Sequence, residues 1–594
     1  MATFGPSLAD EIPIWDLSDL YSGLDDPKIK QDLDFTAEGA KTFADKYRGK
    51  LNDLDGAELG QSIKEYEDLS EVLSRVMSYA QLSFAVEAEN SIIATFYQNM
   101  NERATDISSI TLFFELELNR IADKTLATQM KDPGVTKYAP WIDAIRIFKP
   151  YQLEDNLEKL LHEKSVTGRS TWSRLFDETM AGMRFDVDGR KISSSEIMSR
   201  MSDPDVSVRK KAAKAFGKGL GENIKLASLI TNTLAKDKEI EDNWRKLPRP
   251  VTNRNLSNQV EDEVVDALAS AVKDNYENLA HRYYKLKAKW LGVEVMDYWD
   301  RNAPLPESDD AKIPWSEAKD TVLTSYNAFE PRLGELAGQF FDNSWIDADP
   351  RGGKDSGAFS HPTIPSAHPY ILMNYHGKTR DVMTLAHELG HGVHQILAAP
   401  HGHFLSDTPL TLAETASVFG EMLTFRGMLD AAEDEKQRRI MLVAKVENML
   451  NTVVRQIAFY HFEERVHDER RNGELSAEWL GEIWLDIQTE SLGPAFRFDD
   501  EYRHFWAYIP HFIHSPFYVY AYAFGDCLVN SLYDVFQEGH AGFREKYLDM
   551  LKAGGSLRHK ELLAPFGLDA SDPAFWQRGL DVVSGFVDEL EQSF

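Results

Sequence analysis

The segment GKTRDVMTLAHELGHGVHQILAAP (377–400) decides the reading of this chain. Its apolar residues Val382, Leu385, Ala386, Leu389, Val393, Ile396 and Leu397 recur at helical spacing and share one face. His387, His391 and His394 fall on the other. Thr379 is the expected N-cap, Asp381 lies in the first turn where the helix dipole favours an anion, and Pro400 suits the end. Two imidazoles four residues apart on a helix project from nearly the same side, one turn apart, and can share one Zn²⁺ at about 2.0–2.1 Å each. Glu388 stands about 100° round the axis from His387, where it reaches a water on the ion rather than the ion itself. Gly390 and Gly392 are poor helix formers, each costing about 1 kcal/mol relative to Ala. Their expected use is close approach by another element. The competing reading of the motif is two His and a Glu on a solvated helix face; the apolar back face and a strand predicted just ahead weigh against it.

A catalytic zinc usually has three protein ligands and one open position, so a third donor is expected from a separate element. TPLTLAETASVFGEMLTFRGML (408–429) reads as the next helix, with Thr408 as N-cap and Pro409 at its first position. Glu414 and Glu421, seven apart, share one face of it within a mostly small or apolar stretch. Glu414 is assigned as the third ligand, and Glu421 as the carboxylate that orients a ligand imidazole. Zinc would lower the pKa of bound water toward ~7 and polarise a scissile carbonyl, with Glu388 taking the water proton.

Outward from this point the chain reads mainly as helix. Glu65 to Phe84, Val264 to Leu286 and Ile440 to Phe462 carry apolar residues at helical spacing. Asn302 to Pro314 and Asp347 to Pro369 break the texture with Pro, Gly and acid. SGAFSH (356–361) and PYILMNYH (369–376) read as short strands, the second leading into the metal helix, so a small sheet beside that helix is expected. SGAFS, as an edge strand, could pair with a substrate backbone or be plain structure.

With 594 residues, the length fits about four units of ~150 residues or one large enzyme of two or three lobes. Against 65 Lys and Arg stand 96 Asp and Glu, a formal charge of −31. That field repels nucleic acid and anionic membrane, and favours neutral or cationic ligands. Cys527 is the single cysteine, expected to be a buried structural thiol; it allows no intramolecular disulfide and leaves metal binding to His and carboxylates. The opening MATFGPSLADEIPIWDLSDL lacks the pattern of a secretory signal, and no run of 18 apolar residues exists, so the cytoplasm is the expected compartment. His401 and His403 are expected to be surface residues of a Gly/Pro loop.

HELGH at 387–391, LAETASVFGE with Glu414 and Glu421, GKDSGAF (353–359), IWDLSDLY (14–21) and IPHFIHSPFYVYAYAFG (509–525) together resemble the oligoendopeptidase F and thimet oligopeptidase group of zinc peptidases. The last stretch is similar to the oligoendopeptidase F branch, while 30–200 match only in helical texture. The resemblance implies a mainly α, two-lobed helical zincin fold with an internal substrate channel. Its expected organisation is an N-terminal helical region, 1–200, forming part of the channel wall, and a catalytic region, 201–594. It implies one Zn²⁺ per chain and cleavage of internal bonds in short oligopeptides. It also implies that a His and a Tyr of 509–525 stabilise the oxyanion; by position these are His511 and Tyr520, with Tyr518 and His514 as close rivals. Two other readings stay open: a zinc carboxypeptidase or dipeptidyl carboxypeptidase of similar architecture, and a helical binding scaffold with a degenerate site.

Overall fold

The computed structural model describes residues 12–165, 167–305, 312–432 and 434–593. Helices make up 71% of the chain and the sheets are small. The chain divides into two compact units, each assembled from three segments. The first takes Met1–Lys149, Ala311–Ala431 and Val535–Leu568; the second takes Pro150–Asp310, Ala432–Asp534 and Asp569–Phe594. Residue 200, where the sequence reading divides the chain, falls inside the second unit.

In the first unit the helix expected over 65–84 runs Gly56–Val86. Asp55 caps it, accepting the Glu58 amide while the Glu58 side chain accepts the Asp55 amide, which fixes the start at Gly56, ahead of the apolar run. The expected sheet has three strands: Tyr370–Leu372 lies in the middle, parallel to Ile346–Asp347 and antiparallel to Phe359–His361. The middle strand is wholly buried, as an uninterrupted apolar run requires, and Phe359–His361 is an edge. The start of the chain joins this layer. Pro13 accepts the Ala348 amide, and Trp15 packs edge-on against Tyr370. Residues 1–11 lie outside the described residues.

The second unit is helical with two strand pairs: Phe185–Val187 with Arg190–Ile192, and Met296–Asp297 with Phe496–Arg497. Two helices expected to be continuous contain a wider turn. The run 264–286 is α-helical at Asp262–Asp274, a π turn at Glu277–His281, and α-helical again at Arg282–Trp290. Likewise Glu435–Leu450 and Gln456–Arg470 are joined by a π turn at Asn451–Arg455. Each such turn shifts the apolar stripe by one residue without ending the helix. Of the acidic Pro-rich stretch 302–314, residues 302–305 and 312–314 are non-helical as expected; 306–311 lie outside the described residues. Cys527 is buried and free. Among the described residues no helix is long and apolar enough to cross a membrane.

Candidate metal centre

The helix carrying HELGH spans Thr379–Ala398. Thr379 is its first residue rather than its cap. The start is held from within, by the Asp381 carboxylate, which accepts the backbone amides of Lys378 at 3.0 Å and His376 at 2.8 Å. Val382, Leu385, Ala386, Leu389, Val393 and Leu397 are buried, as the pattern requires, and Ile396 is half-buried. The following helix is Leu410–Ala431, starting one residue later than expected.

The two helices touch where the glycines allow. A Cβ at Gly390 would meet the Ala416 carbonyl oxygen at 2.5 Å and Ser417 Cα at 2.6 Å. One at Gly392 would strike the Phe340 ring. Gly390 therefore gives backbone proximity to the Glu414 helix, and Gly392 gives room to the Phe340 ring of the helix Pro331–Asp342, both at the expense of helix propensity. Tyr326 reinforces the contact: its buried hydroxyl donates to the Ala386 carbonyl at 2.5 Å and occupies the space beside Gly420.

This approach delivers Glu414 to the histidines. Its Oε2 lies 3.3 Å from His387 Nε2 and 3.5 Å from His391 Nε2. The imidazole centroids are 4.9 Å apart, with planes at 80°. One donor atom from each of His387, His391 and Glu414 lies within 4.8 Å of the others, the one such group among the described residues. Two imidazoles and a carboxylate match the donor set of a catalytic zinc, so these residues fit a single divalent ion. Glu421 Oε2 stands 3.6 Å from His387 Nδ1, on the far side of the ring. Ser417, unnoticed in the sequence, donates its hydroxyl to Glu414 Oε2 at 2.6 Å and so fixes that carboxylate; its spacing three residues after Glu414 on a helix is the signal that could have found it.

Burial lowers the proton affinity of His387, but a hydrogen bond to Glu421 and the charges of Glu414 and Glu388 outweigh it and push the ring up to about 9. His391 goes down to about 4, chiefly through burial, with Glu414 opposing. Burial raises Glu414, yet the two histidines bring it below the ordinary carboxylate range. Glu388 is buried, 5% exposed, and burial pushes it up to about 7; the Ser360 amide of the edge strand, hydrogen-bonded to it, acts in the opposite sense. The outward carbonyl of Ser360 accepts from Gln395 at 3.1 Å, and the Ser360 hydroxyl donates to Gln395 Oε1 at 2.9 Å. The edge strand is thus tied to the metal helix beside Glu388.

The other residues singled out divide differently. His394 is buried and stands outside the three-donor group, its Nε2 3.5 Å from the Thr408 hydroxyl. The expectation of surface histidines at 401 and 403 is corrected: both are half-buried, and His403 Nε2 lies 3.3 Å from the Ser74 hydroxyl. For His403 the partner comes from the helix Gly56–Val86, which the loop sequence does not reveal. In the second unit His511, Tyr518 and Tyr522 form a half-buried group. His511 stacks on Tyr518 at 6.0 Å, and its Nε2 is 3.3 Å from the Tyr522 hydroxyl. Tyr522, in the first turn of the helix Tyr520–Gln537 and 5.2 Å from the Tyr518 ring in the turn before it, is the member that sequence reading passed over. Tyr520 points the other way, fully buried, its hydroxyl accepting from Asn258 at 2.8 Å. His514 is exposed and meets Asp177 at 2.8 Å.

The family model described as "Peptidase family M3" matches residues 199–582, and that described as "Oligopeptidase F" matches 117–185. The oligopeptidase PepF of Bacillus subtilis is 29% identical over 566 residues, covering 92% of this chain and 82% of the relative. An oligoendopeptidase F homolog of Borreliella burgdorferi is 26% identical over 589 residues, covering 98% of each. The crystal structure of oligoendopeptidase-F from Enterococcus faecium superposes with a TM-score of 0.73 over 96% of this chain and 99% of the other, at 21% identity, which speaks for the fold. With the match to the M3 model spanning most of the chain and a His-His-Glu cluster on its central helices, the chain belongs to peptidase family M3, in its oligoendopeptidase F group, and is a metalloendopeptidase.

Proposed function

We propose that this chain is a zinc-dependent oligopeptidase that cuts internal bonds of short peptides, with His387, His391 and Glu414 holding one Zn²⁺ and Glu388 acting as general base. The observation that carries the reading is the convergence of three donor atoms within 4.8 Å, with a buried carboxylate on the adjoining residue. Zinc, when bound, supplies Lewis-acid activation of a water and of the scissile carbonyl. Glu388 takes the proton of the attacking water and returns it to the leaving amine as the C–N bond breaks. A carboxyl whose proton affinity burial has raised toward neutrality can do both at pH 7. Glu421 and Ser417 hold His387 and Glu414 in orientation from behind. The edge strand Phe359–His361 serves this arrangement as structure: its Ser360 amide and carbonyl are taken by Glu388 and Gln395, which leaves no free backbone pair at Ser360 for a substrate.

For the oxyanion, the family resemblance points to His511 and a tyrosine of the same stretch. Tyr518, half-buried and stacked on His511, is the first choice; Tyr520, committed to Asn258, is the second. The test is digestion of peptides blocked at both ends, with and without chelator, read by mass spectrometry. Internal cleavage that stops with chelator and returns with Zn²⁺ is expected. Failure on blocked peptides alongside trimming of free ends would replace this reading with an exopeptidase.

A further inference from the structure

Within the first unit a cavity of ≈ 850 Å³ opens beside the metal group, sharing His391 as part of its lining. It lies in the 300–1,000 Å³ range of sites that enclose a whole small ligand, so it takes a stretch of peptide rather than one side chain. Its walls are aromatic and rigid. Trp141 and Phe404 stack with centroids 4.5 Å apart and planes at 4°, and Trp345 stacks on His368 at 3.8 Å. The Phe404 wall is clamped by buried Glu67, which accepts the Phe404 amide at 3.2 Å and the Tyr138 hydroxyl at 2.6 Å. The cavity begins where the edge strand ends: Pro362, Thr363 and Ile364 line it directly after His361, and so does Gln395, which is bonded to Ser360.

One charged side chain lines this space without a cation. Asp407 is open to the cavity. Among the described residues no lysine or arginine pairs with it, and the cation-forming neighbour that acts on it is His403. Burial holds His403 below its ordinary value, so at neutral pH it brings no charge to offset the carboxylate. Asp407 is exposed, so a ligand in the cavity reaches its carboxylate directly, with the Thr408 amide hydrogen-bonded to it.

A lone acid among stacked aromatic faces matches one class of side chain. Guanidinium is planar, stacks on aromatic rings, and donates in pairs to a carboxylate. We infer that this cavity is a specificity site for peptide segments carrying an arginine side chain, with Asp407 taking the guanidinium and the Trp141–Phe404 wall its flat face. The inference rests on the peptidase reading above for the identity of the ligand as peptide. The chain's net charge of −31 draws such cationic peptides toward it.

The test reads binding, not turnover. Dye-labelled hexapeptides, blocked at both ends, carry one arginine moved through the six positions; a matched set carries citrulline, its uncharged isostere. Fluorescence anisotropy is measured on the full-length, zinc-loaded Glu388→Gln protein, which holds peptide without cutting it. At one position or more the arginine peptide is expected to bind at least about tenfold more tightly than its citrulline partner, and Asp407→Asn to bring that ratio to within about twofold. Equal affinity of the two sets at every position in the Asp407-containing protein, which needs no change at that site, would overturn the inference. An arginine preference unaltered by Asp407→Asn would overturn it equally. Absence of cleavage of neutral blocked peptides by the unsubstituted enzyme would count against the peptidase reading alone, since the anisotropy ratio is independent of turnover.

Discussion

A methyl group added at Gly390 would lie 2.5 Å from the Ala416 carbonyl oxygen and 2.6 Å from Ser417 Cα. That is about 0.9 Å inside ordinary van der Waals contact, and both obstacles are backbone, so no rotamer change relieves them. Two effects oppose each other in Gly390→Ala. Alanine is the better helix former by about 1 kcal/mol. Overpacking in a filled interior costs about 1–3 kcal/mol. The net loss of stability is therefore modest and the protein stays folded, with strain relieved by parting the two helices. Parting them carries Glu414, two residues before Ala416, away from His387 and His391. Ligand distances tolerate only about ±0.2 Å, several-fold less than the required displacement. Disturbing a ligand's support usually weakens metal binding about 10–100-fold, and a direct displacement should reach the upper part of that range. The assay is competition for Zn²⁺ against a chromophoric chelator, starting from metal-free enzyme, with circular dichroism as the control for fold. A folded Gly390→Ala protein with unchanged zinc affinity would refute the argument that this helix contact sets the ligand geometry.

Other expectations can be checked alongside. Glu388→Gln should retain one zinc per chain by elemental analysis while kcat falls about 10²–10⁴-fold, the usual worth of a general base; substantial residual turnover would remove Glu388 from that role. Chelation should abolish cleavage and Zn²⁺ should restore it, whereas His387→Ala should not be rescued by added metal. Tyr518→Phe should lower kcat more than it changes KM. Tyr520→Phe should instead lower the melting temperature, because Asn258 loses the acceptor for a buried amide; a large kcat effect without a stability change would return the donor role to Tyr520. Glu463 is buried, with one carboxylate oxygen accepting the Phe517 amide and the other lacking a partner, and burial pushes it up to about 8. A carboxyl that binds its proton more tightly when folded makes the native state lose stability as pH rises from its ordinary value of 4.5 toward 8. Glu463→Gln should therefore raise the melting temperature more at pH 8 than at pH 5, and an equal gain at both would show that Glu463 does not titrate in that window.

The convergence of His387, His391 and Glu414 was legible because each part has a short-range signature. Four-residue spacing puts His387 and His391 on one face, and seven-residue spacing does the same for Glu414 and Glu421. Two glycines in a helix interior announced close neighbours, which are Ala416 and Ser417 at Gly390 and the Phe340 ring at Gly392. The sheet was legible because Tyr370–Leu372, buried on both sides, leaves an unbroken apolar run. The hairpin Phe185–Ile192 carried its own signal in Asp188-Gly189, both at positive φ, and was passed over inside a region read as helix. The π turns were not legible, because one extra residue per turn leaves the apolar stripe nearly unchanged. Long-range partners were hidden altogether. Nothing near His403 in sequence announces Ser74, and nothing near Phe404 announces Trp141. Tyr520 was favoured by position in the motif, and only its burial against Asn258 shows the hydroxyl already engaged.

Each compact unit is stitched from three separated stretches, and the first is completed only by Val535–Leu568. Within that last stretch Tyr547 donates its buried hydroxyl to the Thr415 carbonyl, one residue from Glu414. A nascent chain released from the ribosome up to residue 431 thus already carries His387, His391 and Glu414, yet lacks one of the braces beneath them. A truncation anywhere before residue 547 forfeits that brace, however far it lies from the histidines in sequence.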